Sequence, residues 1–364
     1  MLWGPPGVAK TAIIRQIAEA NCFHCEALAP GERGEGAFGV TPVPVENGHG
    51  TVLDYPPPEW VRNLRLEDGT EAGVVFLDEL NTAPPALQPA LLGAIQERRI
   101  GGHAFGPRVR VFGAANPVGH AAGGWDLAAP VANRLGHLTW DGADADAWGA
   151  WLLGGSEAPA TRDPLKEEAR VLKEWPTAFA KAAGLGAAFT RRRPELLHKM
   201  PADGDPAQSR AWPSHRTWEY AVRARASAEV HGLNDVDTEE LVAAFVGAHA
   251  AGEWHVWIDE ADLPEPADVL DGKVEFEHDP VRLDRTAAVL GSCAALIAPA
   301  KAEKRKDRAG VMWQLLAAVS KDAKDVCVPA MRTMVQAGLR TKDSIKVLSD
   351  MHSVVAAAEM TGGR

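Results

Sequence analysis

Short apolar runs alternate with helical spacings over the first 140 residues. Phe23 to Ala29, Val74 to Leu77 and Val109 to Ala115 read as strands. Between them, Thr11 to Ala20 carries Ile13, Ile14 and Ile17 at helical spacing. A further helix, opened by Pro84 and Pro85, places Leu87, Leu91, Leu92 and Ile95 on one side. Such alternation predicts an α/β domain with a parallel sheet over 1–140. From about 141 strand-like runs become scarce, and alanine-rich amphipathic stretches such as Thr217 to Val230 and Thr238 to Ala251 take over. The expected sequel is an all-helical lid over 141–258, an acidic, proline-bearing linker over 259–280 around Pro264 and Pro266, and a helical extension over 281–364. That extension reads as about four helices, with a charged patch from Lys301 to Arg308 between two of them.

Composition narrows the function classes. The 364 residues are 46% hydrophobic and 24% charged, with a net charge of −11. This disfavours a broad nucleic-acid surface, although Arg191, Arg192 and Arg193 form one local basic cluster whose simpler reading is a solvated loop. No apolar stretch is long enough to span a membrane, and the N-terminus lacks a signal-peptide pattern, which points to the cytoplasm. The four cysteines are too few for a disulfide scaffold; Cys22 and Cys25 have metal-like spacing but no second pair, so buried free thiols are expected.

Gly4-Pro5-Pro6-Gly7-Val8-Ala9-Lys10-Thr11 matches a phosphate-binding loop except at Ala9, where a second glycine is usual. Backbone N–H groups of such a loop and of the following helix cradle phosphate, a lysine adds positive charge, and a hydroxyl ligates Mg²⁺. Ala9 is tolerable there if its backbone stays near helical values. Further on, Val74-Val-Phe-Leu-Asp78-Glu79 is an apolar strand ending in two acids. Such a strand delivers Asp78 to Mg²⁺ through water and Glu79 to the attacking water. Together the two motifs point to ATP and Mg²⁺.

These residues resemble the MoxR-like branch of the AAA+ ATPases, closely over about 1–140 and more weakly to about 250. The carriers are the Gly7-Val-Ala-Lys10 spelling, Leu77-Asp78-Glu79-Leu80-Asn81, and Val111-Phe-Gly-Ala-Ala-Asn116-Pro117, which is similar to a sensor-1 strand. Ala132-Asn133-Arg134-Leu135 looks like the arginine-finger segment, and Ala211 to Trp218 looks like the sensor-2 region of a lid. The resemblance implies that Asn116 positions the lytic water, that Arg134 acts on a neighbouring subunit's nucleotide, and that Arg216 reaches the γ-phosphate. Arg98 and Arg99, before a glycine-rich hairpin, are rivals for the finger. The stretch from Glu35 to Val40 resembles a pore-facing loop in which Phe38 would grip an extended peptide, or else a packed loop.

The resemblance further implies a homo-oligomeric ring, most naturally a hexamer, acting as a chaperone-type remodeller of a protein client, with a von Willebrand A domain protein as partner. A nucleic-acid motor and an ATP-gated scaffold with little turnover are the alternatives. The strand before the loop is cut to Met1, Leu2 and Trp3, so a start upstream of Met1 is expected.

Overall fold

The structure is a computed structural model that describes residues 1–33, 35–38, 41–48, 50–66, 68–117, 119, 124–154, 164–299 and 301–351. Contacts divide them into two compact units. The first contains residues 1–169 and 200–212, the second 170–199 and 213–364.

The first unit opens with β1 (Leu2–Trp3), α1 (Lys10–Ala20), β2 (Cys25–Leu28) and α2 (Pro30–Arg33). A hairpin of β3 (Val43–Asn47) and β4 (Gly50–Asp54) precedes β5 (Ala72–Leu77) and α3 (Gln88–Leu92). A second, shorter hairpin, β6 (Arg99–Ile100) and β7 (His103–Ala104), leads to β8 (Arg108–Ala115), α4 (Ala129–Ala132), β9 (Leu138–Thr139) and α5 (Ala145–Leu152). Five strands form one sheet in the order β2-β5-β8-β1-β9, and every pairing in it is parallel. The protein is therefore α/β, as its alternating pattern requires.

All six residues of β5 are buried, which is how a parallel strand covered on both faces reads. Its side chains alternate. Val74 and Phe76 meet Ile14 and Ala18 of α1 on one face, whereas Val75 and Leu77 join Trp3, Leu28, Leu87 and Leu91 on the other. Helix α1 buries Lys10, Ile14 and Ala18 at a spacing of four, leaving Ile17 exposed. Pro84 and Pro85 do not open α3, which begins at Gln88 after a turn closed by the Leu87 amide on the Pro84 carbonyl at 2.8 Å. A residue preceding proline is pushed out of the helical region, so the pair extends the entry instead.

Helix α6 (Pro164–Arg192) starts in the first unit and ends in the second. The second unit continues with α7 (His215–His231), α8 (Asp235–Val246), α9 (Ala248–Ala261), α10 (Pro266–Leu270), α11 (Leu283–Ile297), α12 (Arg305–Val319), α13 (Lys324–Gln336) and α14 (Lys342–Asp350). Its start signals are local: Ser214 and Thr217 make a capping box on α7, and the Asn234 side chain caps α8. One core gathers Phe189, Trp218, Trp254 and Trp257; another gathers Leu290, Cys293, Met312, Trp313 and Met331.

Two sequence expectations change here. Residues 259–280 are no free linker, because Pro266, Val269 and Leu270 are buried in the same unit as the helices on either side. Nor is the boundary after 258 a division between compact units, since α7 to α14 share one. The reason is apolar: short α10 carries three core side chains in a stretch whose acids and prolines suggest solvent.

Candidate functional site

The glycine-rich loop leaves β1 and enters α1, and its shape follows from three residues. A Cβ on Gly4 would lie 2.0 Å from the Trp140 carbonyl oxygen, so a larger residue does not fit where the loop departs from the sheet. Gly7 has φ +85°. Ala9 has φ 63° and ψ 29°, a left-handed conformation rather than the helical one expected of it. That conformation costs an L-residue about 1–2 kcal/mol, which is why glycine is usual at this place. The loop is braced by Trp140, whose indole N–H donates to the Val8 carbonyl at 2.8 Å and whose amide donates to the Trp3 carbonyl at 2.7 Å. Nothing local in the sequence signals Trp140, because it meets the loop across more than a hundred residues of chain.

Lys10 is 8% exposed. Its ammonium donates to the carbonyls of Gly4 and Pro5, both at 2.8 Å, and to Asn116 Oδ1 at 2.9 Å. Burial pulls its pKa below the ordinary 10.5, while the Asp78 and Glu79 carboxylates push it back up. The Thr11 hydroxyl donates to Asp78 Oδ2 at 2.5 Å. Asp78 Oδ1 accepts the Glu79 amide at 3.0 Å. Glu79 itself takes a left-handed backbone, φ 50°, and its side chain is exposed.

The loop from Pro6 to Thr11, Asp78 and Glu79 from the exit of β5, and Ala115 and Asn116 from the exit of β8 enclose a cavity of about 300 Å³. It lies at the carboxyl ends of parallel strands, where open α/β sheets place their ligands. Thr11 and Asp78 are hard oxygen donors side by side, the set that suits Mg²⁺, an ion held by one or two protein groups and completed by phosphate and water. Among the described residues no group of three His, Cys, Asp or Glu side chains could hold a metal unaided.

The remaining candidates lie elsewhere. Arg134 bonds Gln96 Oε1 and the Pro130 carbonyl and takes no part in lining the cavity. Its segment is nevertheless tied to the strand that feeds the loop. Trp3 donates its indole N–H to His137 Nδ1 at 2.8 Å, and His137 Nε2 reaches the Ala132 carbonyl at 2.9 Å. Burial pushes the His137 pKa down to about 4, so the ring is neutral and Nε2 carries the proton. Arg216 belongs to the second unit, in the first turn of α7. Arg98 pins the short hairpin through the carbonyls of Gly106 and Val109, at 2.7 and 2.9 Å, and Arg99 reaches the Gly102 carbonyl at 3.3 Å.

Other candidates are corrected. Phe38 is 2% exposed in the core beside Trp60, so it is a packing residue; Gly39 and Val40 lie outside the described residues. Cys293 and Cys327 are buried thiols as expected, but Cys22 is exposed. The basic cluster is consumed by ion pairs: Arg191 with Asp325 at 2.7 Å, Arg192 with Asp284 at 3.1 Å, and Arg193 with Glu195 and Glu253.

No family profile matches the chain, and no curated protein is similar enough in sequence to count as a match. Among solved structures, it is similar to a protein provisionally described as an ATPase from Cytophaga hutchinsonii ATCC 33406. The two share 16% identity and a TM-score of 0.40 over 76% of this chain and 85% of that one. The functional reading accordingly rests on the chain's own residues.

Proposed function

We propose that the protein is a Mg²⁺-dependent ATPase of the AAA+ class, MoxR-like, working in a homo-oligomeric ring, a hexamer, as a remodeller of a protein client. The convergence of Lys10, Thr11, Asp78, Glu79 and Asn116 on one cavity carries the ATPase part of this reading, and the class, ring and client rest on the resemblance of the motifs. Phosphoryl transfer is catalysed mainly by positioning and by charge, and each of these side chains supplies one or the other. The loop amides and Lys10 bind the phosphates. Thr11 and Asp78 hold Mg²⁺, which neutralises charge on the phosphate oxygens. Glu79 accepts a proton from the attacking water and Asn116 orients that water. Arg134 serves a neighbouring subunit's nucleotide and Arg216 the γ-phosphate, with the helical unit as lid and extension. A von Willebrand A domain protein is the proposed partner. The acidic balance, together with the pairing of Arg191, Arg192 and Arg193 to carboxylates, weighs against nucleic acid. Among the described residues no helix is long and apolar enough to cross a membrane.

Steady-state ATP turnover of the chain against Glu79→Gln, over a protein concentration series with light scattering, tests the reading. Wild-type turnover should rise with assembly. The variant should bind ATP yet turn it over about 10²–10⁴-fold more slowly. A wild type that stays monomeric and is no faster than the variant would remove the motor reading.

A further inference from the structure

Asn81 is wholly buried, in the turn of Leu80–Thr82 that follows β5. Its Nδ2 donates to the backbone carbonyl of Asn116 at 2.9 Å, and its own carbonyl accepts the Trp125 amide at 2.7 Å. Its Oδ1 is buried with no hydrogen-bond partner. A buried amide with an unmet acceptor is costly, and an apolar side chain of similar volume would pack there without that penalty. The retained N–H therefore matters for what it holds.

What it holds is the spacing of the two reacting elements. The ladder between β5 and β8 runs to the pair Leu77 and Gly113. Glu79 and Asn116 both lie beyond that pair. Past the ladder, the Asn81 amide joins the two strand exits. On one side, the Glu79 carbonyl accepts both the amide and the hydroxyl of Thr82 at 2.8 Å, which fixes the turn. On the other, the Asn116 side chain is held by Lys10 at 2.9 Å while its carbonyl is held by Asn81. We propose that Asn81 is a positioning residue that keeps Glu79 and Asn116 in register for turnover, an inference that rests on the ATPase reading above. It acts through these two groups and touches neither nucleotide nor water.

The experiment measures ATP affinity, kcat, KM and melting temperature for Asn81→Leu and Asn81→Asp. Asn81→Leu keeps the volume and loses the donor. Its kcat should fall about 10²-fold, the scale of a misplacement near 1 Å, with ATP affinity within about threefold of wild type. Asn81→Asp can donate to the Asn116 carbonyl only when protonated, so its turnover should recover as pH falls. This recovery is read against wild type and Asn81→Leu, which share every ionisable group of the site except the introduced carboxyl. A lowered melting temperature with unchanged kcat in Asn81→Leu would make the residue structural and overturn the inference. So would an Asn81→Asp profile parallel to wild type, a readout that stands even if Asn81→Leu fails to fold. Wild type that neither binds nor hydrolyses ATP would overturn the ATPase reading and this inference together; an active wild type matched by both variants would overturn this inference alone.

Discussion

Among the described residues, each unit buries one cationic side chain, and the two are treated in opposite ways. In the second unit, Arg308 is 7% exposed and forks onto Asp271, with Nε on Oδ1 at 2.9 Å and Nη2 on Oδ2 at 3.0 Å. Lys304 adds a third contact to the same carboxylate at 3.2 Å. The charges cancel at contact, and the Arg308 hydrogen bond, followed by that of Lys304, holds the Asp271 carboxyl well below its ordinary range. In the first unit, Lys10 is equally buried but meets two carbonyls and an amide. Its carboxylate neighbours are otherwise engaged, since Asp78 receives the Thr11 hydroxyl and Glu79 faces solvent. Neutral acceptors satisfy the hydrogen bonds of the ammonium, while Asp78 and Glu79 offset its charge without touching it, and a charge not cancelled at contact can draw an anion into a cavity. The contrast separates a cation that holds a fold together from one that, on the proposed reading, receives a phosphate.

The largest expected effect breaks the contrast at Lys10. Lys10→Met should weaken ATP binding about 10–100-fold by titration calorimetry, with a lowered melting temperature because the Gly4, Pro5 and Asn116 acceptors lose their donor. Unaltered affinity would put the phosphates elsewhere. Next comes acid. The folded pKa of Asp271 is depressed, so its stabilising contribution is complete above the ordinary value of 3.8 and is lost as pH falls below it. Helical circular dichroism should therefore fade in that window, and Asp271→Asn, less stable at neutral pH, should lose less in acid than wild type does. The smallest effect sharpens the strained side of the comparison. Ala9→Gly relieves the left-handed backbone at a cost in unfolded-chain entropy, for a net gain below about 1 kcal/mol. Differential scanning calorimetry should show a rise of at most about 2–4 °C; a fall would mean that the alanine methyl is stabilised by its surroundings.

Most of the site's reactive side chains are legible because they belong to local patterns. Gly4 to Thr11 is a spacing, and the strand ending in Asp78 and Glu79 is an apolar run cut off by charge, so both can be read within ten residues. Asn116 lies at the end of such a run as well. What stays hidden is carried by contacts across the chain. Trp140 gives no sign that it braces Val8, and Asn81, seen in the sequence only as the end of the Leu77 to Asn81 motif, gives no sign of its burial. The backbone of Ala9 is hidden for another reason. The residue type argues for one conformation, and the loop's tertiary setting imposes another. Phe38 is legible only as a choice between a pore-facing side chain and a packed loop, and its place in the core with Trp60 selects the second. The α10 stretch misleads, its acids and prolines masking three buried side chains.

Residues 200–212 leave the helical unit after α6, join the sheet unit, and return before α7. There Arg210 sits 3.4 Å over the ring of Trp3, the Ser209 hydroxyl donates to the Leu127 carbonyl at 3.0 Å, and the Trp212 carbonyl accepts from Asn133 at 3.4 Å. The sheet unit is thus assembled from two separate stretches of gene. An expression boundary drawn at residue 169, where the first stretch ends, would strip the cation from the face of Trp3, the residue that immediately precedes the glycine-rich loop. A fragment of the sheet unit designed for crystallography or screening has to carry the excursion with it, or be joined to it by a short artificial bridge.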